Sequence, residues 1–157
     1  MKSSSKYKLG IVIIVVLGLM AVMYFAYKPV VRKIRRANMP VLEQDSSGNF
    51  ALYVSNGSST IPSVDILVLI DGKLAVDEDF HIGQIGMSNH KEFKFNLPSG
   101  RHNISAKSAA GSAELNLEFD ITSKQWAILD YSYNPESEYE REKSFIFNIQ
   151  DEPIYFR

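Results

Sequence analysis

The groups able to do chemistry are few. The chain of 157 residues has three histidines, His81, His90 and His102, and no cysteine. Thiol nucleophiles, thiolate metal ligands and disulfides are therefore excluded. Serines are many, but none sits in G-x-S-x-G, and neither G-x-x-x-x-G-K-[ST] nor G-x-G-x-x-G occurs. Gly83-Gln84-Ile85-Gly86 is too short to cradle a phosphate. His81 and His90 bracket one loop, and Asp77, Glu78 and Asp79 lie just before it. Imidazoles and carboxylates in one loop are the groups of a zinc or calcium site, and hence of a metal-dependent hydrolase or sensor. The spacing fits no metal-loop signature, however, and a tight divalent site needs three or four converging ligands. Strand alternation also turns Asp77 and Asp79 outward, as a solvated acidic edge of the kind that blocks edge-to-edge pairing. The expectation is therefore no catalytic, metal or cofactor site, and no enzyme.

The other candidates read the same way. His102 falls on the inward face of its strand beside Ile104, which predicts a hydrogen-bonded, partly buried histidine. Glu136, Glu138, Glu140 and Glu142 alternate in PESEYERE and read as a solvated loop, with Arg141 and Lys143 neutralising part of the charge. Trp126, Tyr131 and Tyr133 could form an aromatic sugar- or peptide-binding strip. Parity splits it: Trp126 and Ile128 share one face, Tyr131 and Tyr133 the other. Core and cross-strand packing is expected for them, Trp126 included.

The elements that carry these residues fall into two parts. Leu9 to Tyr27 is a run of 19 uncharged, mostly apolar side chains. As a helix it spans roughly 28 Å, close to the hydrocarbon thickness of a bilayer, about 30 Å. The run is longer than a signal-peptide core and ends in MYFAYKP, with no small-x-small cleavage site. Tyr24, Phe25 and Tyr27 suit an interfacial aromatic belt. An uncleaved, single-pass transmembrane helix over 9–27 is predicted, behind a basic tail over 1–8. The following segment, 28–49, is basic and then linker-like, with Pro29 interrupting the helix and MPVLEQDSSGN separating it from the folded part.

Charge divides the chain at the same place. Residues 1–40 hold eight Lys or Arg and no acid, whereas 41–157 hold nine basic and 18 acidic side chains, a net of −9. The basic stretch suits an anionic leaflet. The acidic remainder has the wrong sign for nucleic acid. The short basic tail before a first apolar segment favours retention of the tail inside, with the folded domain periplasmic or extracellular; the richer flank of Lys28, Arg32, Lys33, Arg35 and Arg36, read alone, gives the cytoplasmic alternative. Expected partners are the bilayer, through 9–27 and the adjacent basic segment, and a protein.

From Phe50 on, alternation and turn signals dominate. Strands are predicted over 50–55, 64–70, 73–80, 91–97, 101–107, 113–121, 125–133 and 144–150. Asp71-Gly72 is the strongest hairpin turn among them. About eight strands over 50–157 predict an all-β chain folded as a single antiparallel β-sandwich, Ig-like or transthyretin-like. Pro153 blocks ladder pairing, so 154–157 is an edge or a packed tail.

The order I-D-G-K at Ile70 to Lys73, L-P-S-G-R-H-N-I-S-A at Leu97 to Ala106, then Gly111, resembles small bacterial Ig-like and PEGA-type domains. The resemblance covers about 45 residues and implies a non-catalytic, surface-exposed accessory module. Together these readings predict a membrane-anchored binding or scaffolding module of the cell envelope. The alternatives are the metal-dependent hydrolase or sensor at His81/His90, and a subunit of a larger membrane complex using the tail IYFR.

Overall fold

The computed structural model describes residues 16, 22–23, 26–83, 90–139 and 142–156. Two compact units divide the chain, residues 1–39 and 40–157. In the first, residues 26–38 are helical, as are Val16, Val22 and Met23. Most of the expected span 9–27 lies outside the described residues, and among those described no helix is long and apolar enough to cross a membrane. The helix runs on through Pro29 rather than stopping there. The proline's fixed φ is itself helical, so its cost is one missing donor and a local clash, which this helix absorbs.

The second unit is a β-sandwich. Its strands are β1 (Phe50–Asn56), β2 (Ser63–Ile70), β3 (Lys73–His81), β4 (Lys91–Phe95), β5 (Gly100–Ser108), β6 (Ala113–Ile121), β7 (Gln125–Ser132) and β8 (Ser144–Gln150). One sheet has the order β4-β1-β7-β8 and the other β3-β2-β5-β6. Alternation built both: Phe50, Leu52 and Val54 of β1, Val64, Ile66, Val68 and Ile70 of β2, and Ala127, Leu129 and Tyr131 of β7 turn inward into one shared core. Each fully buried Val, Leu, Ile or Phe contributes about 1.5–3 kcal/mol. That repeated gain fixes the register, because a slip of one residue would turn every such side chain to solvent.

Two expectations are corrected here. The sandwich is not wholly antiparallel: β1 and β7 run parallel, Phe50 opposite Gln125 through Asn56 opposite Tyr131. These strands are far apart in sequence and the chain passes through the other sheet between them, so no hairpin forces opposite directions. Alternation encodes which face a residue takes and says nothing of strand direction.

The segment 39–49 is also not a free linker. The Leu42 N–H donates to the Leu74 carbonyl (2.9 Å) and the Leu74 N–H to the Pro40 carbonyl (2.8 Å). Four residues on, Gln44 bridges to Phe95, and the Asp45 N–H donates to the Lys94 carbonyl (2.9 Å). One strap thus ties the edge strand of each sheet, β3 and β4, and Leu42 packs against the core. Unpaired edges invite association with other chains, and this strap occupies two of them. Its polar letters do local work: the Asp45 carboxylate accepts the Ser47 N–H (2.9 Å), and Asn49 bonds both the N–H and the carbonyl of Leu97 at 2.8 Å.

Candidate binding face

The outer side of the sheet β4-β1-β7-β8 can be built row by row from the register. Lys94, Ala51, Trp126 and Gln150 lie side by side across the four strands. Glu92, Tyr53, Ile128 and Asn148 form the next row, then Ser55, Asp130 and Ile146. Extending β4 by one residue brings His90 opposite Ser55. An outer row of a two-layer sandwich is normally wet, yet Ala51 and Ser55 are buried.

The C-terminal tail adds an aromatic ring to this face. The ladder ends at Gln150, and the chain beyond it, Pro153 included, is in no strand. Its root is held by the Gln125 side-chain amide donating to Asp151 (2.7 Å) and that of Gln150 to the Glu152 carbonyl (2.8 Å). The Phe156 ring then stacks on His90, centroids 4.0 Å apart and planes 20° off parallel. It also meets the Tyr53 ring edge-on at 5.1 Å. Both are favourable aromatic geometries.

The polar groups around this seat are mutually engaged. The Tyr53 hydroxyl donates to Glu92 (2.7 Å), and Lys94 pairs with the same carboxylate at 3.0 Å. Burial, with the Glu92 hydrogen bond and charge added, pushes the Tyr53 phenol up to about 12. For Glu92, burial alone would raise the pKa, but Tyr53 and Lys94 together hold it below the usual carboxylate range. Burial also holds the His90 imidazole below its usual range, against the opposing pull of Asp130. Ser55 donates to Asp130 at 2.5 Å. Ser, His and Asp share one row, but the wiring differs from a nucleophile–base–orienter relay. The serine proton goes to the aspartate, the serine is buried, and the imidazole face is taken by Phe156.

The residues singled out by sequence fall elsewhere or divide. Trp126 is not in the core: it is half-buried on the outer face, with the Lys124 ammonium 5.6 Å from its ring. Its parity follows from β7, whose inward positions are Ala127, Leu129 and Tyr131. Tyr131 is fully buried and donates its hydroxyl to the Gly111 carbonyl at 2.9 Å. The split of the strip is as parity requires.

His81 ends β3 in one sheet, while His90 precedes β4 in the other, and residues 84–89 between them lie outside the described residues. Among the described residues no group of three or more His, Asp and Glu side chains converges as metal ligands would. Asp77 departs from the solvated edge expected of it, being only 5% exposed. Glu78 instead crosses between the sheets to pair with Lys91. In the 134–143 loop Glu136, Glu138 and Glu142 are exposed, and Glu140 lies outside the described residues.

His102 is 6% exposed and fully engaged. Its Nδ1 lies 2.6 Å from an Asp71 carboxylate oxygen and its Nε2 2.8 Å from the Pro98 carbonyl. Both partners are acceptors, so the ring serves both at once only with a proton on each nitrogen, as an imidazolium. Burial opposes that charge, but Asp71 and the Pro98 carbonyl outweigh it and raise the His102 pKa. Asp71 also accepts the Asn103 N–H at 2.9 Å, from the left-handed turn (φ 51°, followed by Gly72 at 73°) that the Asp-Gly pair permits. The I-D-G-K and R-H-N-I-S-A stretches therefore meet in space, pinned by one carboxylate.

Tyr53 and Ser55 were not singled out by sequence, and Phe156 only as part of the tail IYFR. The available signals were an aromatic at the outward position of FALYVSN and an apolar I-Y-F after a ladder-breaking proline. No protein-family model matches this chain, and no curated protein matches it.

Proposed function

We propose that the protein is a membrane-anchored, non-catalytic binding module whose sandwich faces away from the cytoplasm and recognises a protein partner. One observation carries the binding role. Among the described residues, side chains with catalytic potential brace the fold: His102 and Asp71 on a turn, Ser55 on Asp130, and Asp65 on the backbone N–H of Ala110 at 2.7 Å. What the fold presents instead is the aromatic outer face built on Tyr53, Trp126 and Ile128.

Anchoring is supported by the apolar run 9–27 and by the helix that follows. On a 3.6-residue turn, Met23, Tyr27, Val30 and Ile34 align, and all four are exposed. Lys28, Arg32, Arg35 and Arg36 fall on the opposite arc, the pattern of a helix at an anionic lipid boundary. Strand order favours the transthyretin-like alternative within the sandwich class. A constant-type Ig domain pairs its first strand with its second, whereas here β1 lies between β4 and β7.

The test uses the full chain in its native membrane, with a photo-crosslinking residue at Trp126 on the candidate face or at Glu114 on the other sheet. A protein adduct at 126 and none at 114, in a chain that resists carbonate extraction, is the expected result. Release by carbonate removes the anchor. Equal adducts at both positions, or none, remove the binding face.

A further inference from the structure

The outer face of β4-β1-β7-β8 already holds a peptide, and that peptide belongs to the chain itself. From it we infer that the face is a docking groove for an extended segment of a protein partner, one that carries an aromatic side chain followed by a basic residue. Phe156 is its resident occupant in cis and is displaced when the partner binds. The inference rests on the proposed binding role and names the class of partner.

Three features argue for exchange rather than a fixed tail. The seat is specific: an imidazole plane beneath the ring at 4.0 Å and a phenol edge at 5.1 Å fit an aromatic group and little else. The floor is prepared for close approach, since Ala51 and Ser55 flank Tyr53 on β1 with side chains too small to stand in the way. The hold is slight. Residues 153–156 belong to no strand, Ile154 is only half-buried, the Phe156 ring is 36% exposed and Tyr155 is 84% exposed. Asp151 and Glu152 are bonded at the root, so residues 153–156 can part from the sheet without disturbing β8.

Charge sets the second requirement. Glu92 and Asp130 stand on the two rows beside the seat; Lys94 and Ser55 already engage them, but a carboxylate has more than one acceptor site, and that capacity favours a cation next to the aromatic residue. The chain's own sequence has that order, Phe156 then Arg157. A tethered tail competes at an effective concentration on the order of millimolar. A partner must therefore outbid it, which makes the tail a threshold on binding.

The test uses the full chain in detergent micelles and a fluorescein-labelled peptide of residues 151–157, DEPIYFR, read by anisotropy. The Phe156→Ala chain should bind the peptide at least tenfold more tightly than the wild type, because the cis competitor has lost its ring. Combining Phe156→Ala with Tyr53→Ala should abolish binding, as should alanine in place of the phenylalanine in the peptide. Far-UV circular dichroism establishes that each variant retains the sandwich. Equal affinity for wild type and Phe156→Ala, or no binding by either folded chain, overturns the inference. So does a wild-type dimer that Phe156→Ala dissolves, since the occupant would then be the tail of a second copy. An adduct at Trp126 without peptide binding leaves the binding role standing and removes this partner class alone.

Discussion

His102→Gln tests the imidazolium pin between the β2–β3 turn and β5. The wild-type ring serves two acceptors at once, the Asp71 carboxylate and the Pro98 carbonyl. A hydrogen bond to a charged partner contributes about 1.5–3 kcal/mol, a neutral one about 1 kcal/mol. Asp71 is 44% exposed, so water screens its side of the pair and places the loss near the lower end. The expected cost at pH 5.5 is about 2 kcal/mol, which corresponds to roughly 5–10 °C in Tm for a domain of this size.

The pH dependence has a fixed sign. A folded pKa raised above the unfolded value of about 6.5 contributes stability that is fully present below 6.5 and lost as pH rises through the folded value. Asp120 adds to this shift, and Lys73 acts on Asp71 in the same direction as the pair itself. Asp71 is depressed despite its burial, so its share persists down to its own lowered pKa. The difference between wild type and His102→Gln should therefore shrink as pH rises through the folded pKa, above which the ring has one proton for two acceptors. Urea melts of residues 40–157 at pH 5.5, 7 and 9, followed by Trp126 fluorescence, measure it. Taking the difference between the two proteins cancels His90, whose lowered pKa drives stability the opposite way with pH. A difference that grows with pH refutes the imidazolium assignment.

Three further predictions concern packing and its hydrogen bonds. Tyr131→Phe leaves the buried Gly111 carbonyl without its donor and should cost about 1–3 kcal/mol in the same melts. Gly111→Ala, whose added carbon would stand 2.6 Å from the Tyr131 ring, should cost about as much by overpacking. Trp126→Ala should cost only about 1–2 kcal/mol, short of the 3–5 kcal/mol typical of a fully buried aromatic, while Leu129→Ala on the inner face of the same strand costs more. A Trp126 loss above that of Leu129 would place the indole in the core after all.

The sequence by itself determined the strands. Period-2 alternation is a local property, so AELNLEFDI and SFIFNIQ were legible to the residue, and the other strand ends moved by at most two positions. The Asp-Gly turn was legible too, because only a few residues tolerate positive φ. His102 was legible as an inward, hydrogen-bonded histidine, although Asp71 as its partner was not. Tertiary structure alone decided which strands became neighbours, and with that the parallel β1–β7 pair and the rows that cross it. It also turned Trp126 outward, since the face a strand buries depends on the layer it packs against and QWAILDY is apolar at both parities. The strap over 40–45 and the seat of Phe156 are contacts between segments far apart in the chain. Their residues carry no period and no motif, and they acquire meaning only once the edges of β3 and β4 and the outer face of β1 exist for them to cover.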